Sequence, residues 1–499
     1  MAAITESTKP SPLSPSVFLF TLGAALVVSL AILAAGERAL YLILGVLLMP
    51  VYLKQPVWGL YVTTVLLLLS GIALPLGGLR LGLPSIAAKA SGVAAIGAWG
   101  LNYFATGKRF RLGLDTWLVL GFLAWALVGI GYSLIWRIQL PEWVRLLTVV
   151  GYFLLAIHVL DTPERLHRFV MILVWCAAIL SAFALFQYLT PSLQYAGPAG
   201  IGAIGAGQDV AFIDPEGLVG GAAVRVTGGT GHSNWLAFTL LLVLPLNVYW
   251  FKVASTRRGK AVVVAAVVLE LIALVLTFTR LGLLVGVGIG VFLVLTRLVK
   301  LTPHRLSALG VAVVLCWFVL PGAYKERVID FTQYARSEST RARVEVQQYA
   351  WAYMQDFPTY GIGLAGFGPR FHEERNSEIA GMLRWMVKYQ GWNPIYYGPH
   401  NMYLQIGSEL GAVGLILFLL FIARAIYSAK SAEKVFRAGY HDDFATLASC
   451  VGVSIIAFVF CAIFLHALQQ KIWWMIFAAA IALPFCASRV QPADIAEGD

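Results

Sequence analysis

The chain has 499 residues, 59% of them hydrophobic and 12% charged, with a formal net charge of +11. That balance leaves a soluble protein unable to cover its surface with polar groups, so a soluble enzyme is excluded and a membrane protein is expected. The five cysteines, Cys176, Cys316, Cys450, Cys461 and Cys486, all stand in apolar stretches, and neither a disulfide framework nor a thiolate metal site is implied.

Residues 1–16 are polar and lack a basic n-region, so the run after them, Val17–Ala35, reads as an uncleaved first span behind a cytoplasmic tail. An N-terminal transmembrane bundle follows over 17–190, with apolar runs at Ala39–Leu53, Val57–Leu76, Leu83–Phe104, Leu114–Trp136 and Phe169–Leu189. Such runs are long enough to cross about 30 Å of hydrocarbon as helices. Residues 191–231 form an outward Gly- and Ala-rich loop ending in RVTGGTGHSNW, which delivers Arg225 to the mouth of the next span and leaves it free to move. Central spans over 232–321 include Trp235–Phe251 and Ala261–Phe278. A larger outward loop covers 322–399, C-terminal spans beginning with Met402–Ile426 cover 400–488, and 489–499 is a second cytoplasmic tail. The whole reads as an all-α polytopic membrane protein of about 12–14 transmembrane helices, with short helices in the large loop.

Lys and Arg gather in alternate connections, for example Lys252, Arg257, Arg258 and Lys260, then Arg424, Lys430, Lys434 and Arg437. Positive loops stay inside, so both termini are expected in the cytoplasm and both long loops outside. Most of the net charge is then topological and calls for no nucleic acid. In the large loop, STRARVEVQQYAWAYMQDFPTYG predicts a helix capped by Ser339 or Thr340, with Val346, Tyr349, Ala350 and Tyr353 on one face and its end at Pro358 and Gly361. The GIGLAGFG that follows has no Lys-Ser/Thr after it, so it is expected to be a tight turn folding the loop back on the membrane, not a nucleotide loop.

Arg280 stands in LVLTFTRLGLLVGVGIG with no polar linker, where a cation in the bilayer needs an anionic or carbonyl partner. The plainer alternative is an arginine that snorkels to the headgroups. Arg225 alone reads as a solvated loop charge; with Arg280 it supplies two guanidinium forks at the outer face, suited to a phosphate pair. His400, in YYGPHNMYLQIGSELGAVG, begins a span at the outer boundary, as an interfacial cap or as a neutral imidazole that takes a proton from a hydroxyl. Asn401 stands beside it to orient the ring, and Glu409, two turns on, has structural work inside the bundle. His232 also begins a span and is the competing base, whereas His158 and His466 lack such a setting. With no His-Glu-x-x-His and no clustered ligand spacing, neither a metal nor a cofactor is expected.

Four segments together carry a resemblance over the second half of the chain: Arg225–Ala237, the TFTRLG turn at Thr277–Gly282, Arg343–Gly368 and Pro399–Leu415. Their order and placement resemble the O-antigen ligase and polymerase superfamily of bacterial envelope glycosyltransferases. The resemblance implies a GT-C-like membrane fold and transfer of a glycan from undecaprenyl diphosphate to an acceptor hydroxyl outside the cytoplasmic membrane. It implies that Arg225 and Arg280 hold the diphosphate, that His400 is the base, and that Arg343 is the arginine opening the loop helix. Gln347 stands where a tryptophan is usual, which weakens that helix's part in substrate contact. A ligase acting on lipid A–core or a similar acceptor is the expected activity, with a repeat-unit polymerase as the alternative. A non-enzymatic transporter of the same anionic lipid would use the arginines but not His400.

Overall fold

The computed structural model describes residues 37–76, 79–82, 85–107, 110, 112–133, 135–190, 225–300, 302–303, 307, 318, 338–374, 380–381, 384–385, 387–388, 397–466, 468 and 470–489. The expected span Val17–Ala35, most of the Gly-rich loop and the side chain of Arg280 lie outside them.

The first helices are α1 (Glu37–Lys54) and α2 (Pro56–Leu69). The chain then enters an antiparallel hairpin, β1 (Ala73–Leu76) with β2 (Leu79–Gly82), in which Leu76 pairs with Leu79. This corrects one expectation, that Val57–Leu76 is a single helical span; among the described residues the fold is otherwise all-α, as expected. Ser70-Gly71 weakens the helix, Pro75 cannot donate into one, and Gly77-Gly78 between the strands is a hairpin sequence.

Next come α3 (Ser85–Thr106), α4 (Leu114–Gly131), α5 (Trp136–Val159) and α6 (Pro163–Leu189). Thr162 caps α6 by accepting Arg165 N–H, with Pro163 at the first helical position where a missing N–H costs nothing. The run Trp235–Phe251 is broken: α7 (Ser233–Val243) and α8 (Leu246–Val253) meet at 44° around Pro245. Then follow α9 (Arg257–Leu276), α10 (Arg280–Leu295), the loop helices α11 (Glu338–Asp356) and α12 (Phe367–Glu374), and α13 (Met402–Ala438), α14 (Asp442–Cys461) and α15 (Lys471–Ala487). Among the described residues six helices, α4, α5, α6, α9, α13 and α14, are long and apolar enough to cross a membrane, or seven with the bent α7–α8 pair counted as one. The protein is therefore a polytopic integral membrane protein.

The main core is built around α15, which packs on α5, α6, α7, α13 and α14. Apart from its first residue it is apolar and buried on every face through Leu483, Trp473 and Trp474 included, as a helix with no polar side must be. The Trp474 indole donates to Leu468 O at 3.1 Å, so no polar atom of that ring is stranded. A smaller core lies beside it, where Val346, Ala350 and Tyr353 of α11 pack with Phe367 and Phe371 of α12 and with Ile362. The predicted face of the loop helix is the buried one, with Val346, Ala350 and Tyr353 in the core.

Candidate functional site

The GIGLAGFG segment packs against the start of α13, and α13 is bent to receive it. Gly411 has φ +66° and ψ −168°, which interrupts the helical ladder and frees its carbonyls for other partners. Ser408 O accepts Ile362 N–H at 2.9 Å, Glu409 O accepts Gly363 N–H at 2.8 Å, and Pro358 O accepts Ala412 N–H at 2.7 Å. The Trp125 indole donates to Leu410 O at 2.8 Å. Buried Glu409 uses its side chain on the same segment, accepting Ala365 N–H at 2.9 Å. Residues 358–365 thus form a strap that fixes the large loop over the start of α13 and so determines where α11 carries Arg343.

A second group forms where α7 and α10 begin. His232 is the N-cap of α7, and its Nδ1 accepts Asn234 N–H at 3.0 Å. The Asn234 Oδ1 accepts both Arg225 Nη2 at 3.3 Å and the Thr279 hydroxyl at 3.2 Å, while Arg225 Nε donates to Thr277 O at 3.2 Å. Thr279 is in turn the N-cap of α10, whose first residue is Arg280. The left-handed backbone of Phe278, φ +52°, makes the turn between α9 and α10 short enough for this arrangement.

Arg225 is not loosely held, contrary to the expectation drawn from its glycines. Gln187 Oε1 accepts the N–H groups of Thr227 at 3.1 Å and Gly228 at 2.8 Å, and Val226 N–H donates to Leu276 O at 3.3 Å. Val226 and Thr227 are buried. A glutamine more than thirty residues away in sequence anchors a segment that composition alone reads as slack.

His400 stands just before α13 with φ +50°, a left-handed conformation that costs a non-glycine residue energy and is concentrated at functional sites. Met402 N–H donates to Ala462 O at 2.7 Å and the Tyr403 hydroxyl to Val459 O at 2.9 Å, so the surrounding structure over-determines it. Asn401 does not orient the ring; its side chain caps α13 by accepting Leu404 N–H at 3.0 Å. Ring contacts hold the imidazole instead: Tyr397 at 6.3 Å between centroids and His466 at 4.8 Å, both edge-to-face. His466 was not among the expected site residues. Its stretch, FLHALQQK, is the polar break between two apolar helices, and two helices, α13 and α14, separate it from His400, which puts both at the same end of the bundle.

His400 keeps partial solvent exposure although protein surrounds it. Burial first, then the like charges of His466, Arg343 and His232, hold its pKa well below the ordinary imidazole value. The ring is therefore neutral at pH 7 and can accept a proton. His232 is the weaker candidate, because its Nδ1 lone pair is occupied and the other nitrogen of a neutral ring carries the hydrogen. A base must be deprotonated, and lowering its pKa preserves the neutral form to lower pH. The acid limb of kcat/KM is accordingly expected below about 6.5, the value of free imidazole; a limb at or above it would count against His400. Among the described residues no group of three or more His, Cys, Asp or Glu side chains is placed to hold a metal ion.

Fold and site together define a polytopic membrane protein with a polar centre of histidine and arginine where several of its helices begin. Residues 265–419, from α9 into α13, match the family model described as O-Antigen ligase, a stretch that includes Arg280, Arg343, His400 and Glu409. Two curated relatives are named "Putative polysaccharide ligase". One, from Rickettsia felis, is 28% identical over 219 residues, 42% of this chain and 48% of the relative. The other, from Rickettsia conorii, is 28% identical over 151 residues, 30% of this chain and 34% of the relative. The chain thus spans about half or less of the length of these relatives.

Proposed function

We propose that this protein is an inverting, metal-independent glycosyltransferase of the O-antigen ligase type, moving a glycan from undecaprenyl diphosphate to an acceptor hydroxyl at the outer face of the cytoplasmic membrane. The observation that carries the reading is His400, a neutral imidazole held by ring contacts in a left-handed backbone, with Arg343 and His232 in electrostatic reach. His400 takes the hydroxyl proton of the acceptor as oxygen attacks the anomeric carbon from the face opposite the diphosphate, and that single displacement inverts the centre. Arg225 and Arg280 bind the diphosphate and neutralise the charge that develops as it leaves, helped by the positive N-terminal ends of α7, α10 and α13. An acceptor of the lipid A–core kind is favoured over a growing repeat-unit chain. The basic inner loops support an orientation with both termini in the cytoplasm.

The test is reconstitution in vesicles with a defined lipid-linked donor and candidate acceptors, with orientation read by a membrane-impermeant thiol reagent at Glu374→Cys. A capped acceptor is expected, and it should form equally well in excess chelator. A lengthened lipid-linked glycan would make the protein a polymerase, and movement of the donor without any new bond would make it a transporter.

Arg225→Ala is expected to lower kcat/KM by about 10- to 100-fold, the worth of one charge-assisted contact to an anion, with Arg225→Lys recovering little because a point charge lacks the guanidinium fork. Equal activity in all three proteins would leave Arg225 as a brace between α7 and α9.

A further inference from the structure

The mechanism above does not use His466, yet among the described residues its ring is the nearest aromatic neighbour of His400. The centroids are 4.8 Å apart with the planes at 78°. His466 lies in the connection between α14 and α15, which Trp474 braces through Leu468 and which begins at the Ala462 whose carbonyl accepts Met402 N–H. The chain also makes room for it: a Cβ at Gly398 would come within 2.6 Å of His466 Cδ2. Contact between a histidine and the base, admitted by a glycine two residues before that base, is more than core filling requires.

We propose that His466 is a positioning residue for His400, fixing the direction of the imidazole by edge-to-face packing and coupling the charge of the two rings. This rests on the reading of His400 as the base. Two neighbouring imidazoles resist being protonated together, so a proton on His466 disfavours one on His400, and the base stays in its accepting form between turnovers. The charged or titratable groups facing His400 are His466 from the α14–α15 connection, Arg343 from α11, His232 at the start of α7 and Tyr397 from the preceding segment. Of these, the Nδ1 of His232 is already occupied. His466 is thus the neighbour whose removal tests the coupling most directly.

The experiment compares kcat and the pH profile of kcat/KM in the full-length protein, His466→Phe, His466→Gln, Gly398→Ala and His400→Ala. Phenylalanine keeps a ring but no charge, glutamine keeps polarity but no ring, and alanine at 398 pushes His466 aside without altering it. In both His466 variants the acid limb is expected to move to higher pH, because a like charge has been taken away from the base. Loss of the ring's direction is expected to lower kcat by about 10- to 100-fold in His466→Gln and Gly398→Ala, and by less in His466→Phe. The position of the limb does not depend on the fraction of protein correctly folded, so a poorly produced variant still reports. Wild-type limbs in both His466 variants would overturn the proposal. Wild-type activity in His400→Ala would instead overturn the base assignment on which it rests, a separate result.

Discussion

Replacing His400 by alanine is expected to lower the transfer rate by about 10²–10⁴, the usual contribution of a general base, while donor affinity changes little. The two effects separate because different parts of the fold carry them. On the proposed reading, binding of an anionic diphosphate draws on Arg225, held by Asn234 and Thr277, and on the start of α10. Proton removal draws on a ring whose location depends on Met402, Tyr403 and the α14–α15 connection. Removing the imidazole also removes the cost of its left-handed backbone only in part, since alanine at φ +50° is strained as well. A glutamine at 400 should be no better than alanine, because it cannot carry a proton away. If His400→Ala transfers sugar at the normal rate, or fails only because donor no longer binds, the base must be sought elsewhere.

How much of this was legible in the sequence depends on the range of the interactions. Spans are local facts, since the bilayer demands long apolar runs, and α4, α6, α9 and α13 lie where such runs are. The exceptions are local as well: Pro245 bends one run, and Gly71 and Pro75 end another before its apolar residues do. Helix α13 outlasts its apolar run because polar and basic residues from Arg424 to Arg437 remain good helix formers in water. What could not be read is pairing across the chain. Nothing beside Arg225 announces Gln187, and nothing beside Glu409 announces the amide of Ala365, forty-four residues away. Asn401 was misassigned for a related reason: its nearness to His400 suggested a contact, whereas the unsatisfied amides of a helix start have the stronger claim on a carboxamide oxygen.

The strap over α13 is where one substitution should do most structural harm. At Gly411, φ +66° with ψ −168° is a conformation reserved almost wholly to glycine, costing another residue about 1–3 kcal/mol. A Cβ there would also lie 2.2 Å from Thr359 O and 2.3 Å from Thr359 C, atoms of a backbone that cannot step aside singly. Gly361 faces the same problem from the other side, its added Cβ falling 2.4 Å from Glu409 C. Gly411→Ala can therefore be accommodated only by lifting residues 358–365, which strands the amides of Ile362, Gly363, Ala365 and Ala412 together with the Glu409 carboxyl. Each such group left buried and unpaired costs about 1–3 kcal/mol, so the sum is several kcal/mol against the about 5–15 kcal/mol that holds a typical domain together. Because the strap leads directly out of α11, the displacement also carries Arg343 away from His400, and transfer should fall with stability. Gly452→Ala is the matched control: its added Cβ would meet only the Ala429 methyl at 3.8 Å, inside a regular helix where alanine is the better residue. Thermal unfolding in detergent is expected to show Gly411→Ala well below the native protein and Gly452→Ala at or slightly above it. Equal unfolding temperatures and equal transfer in Gly411→Ala and the native protein would mean that the strap does not hold the loop in place.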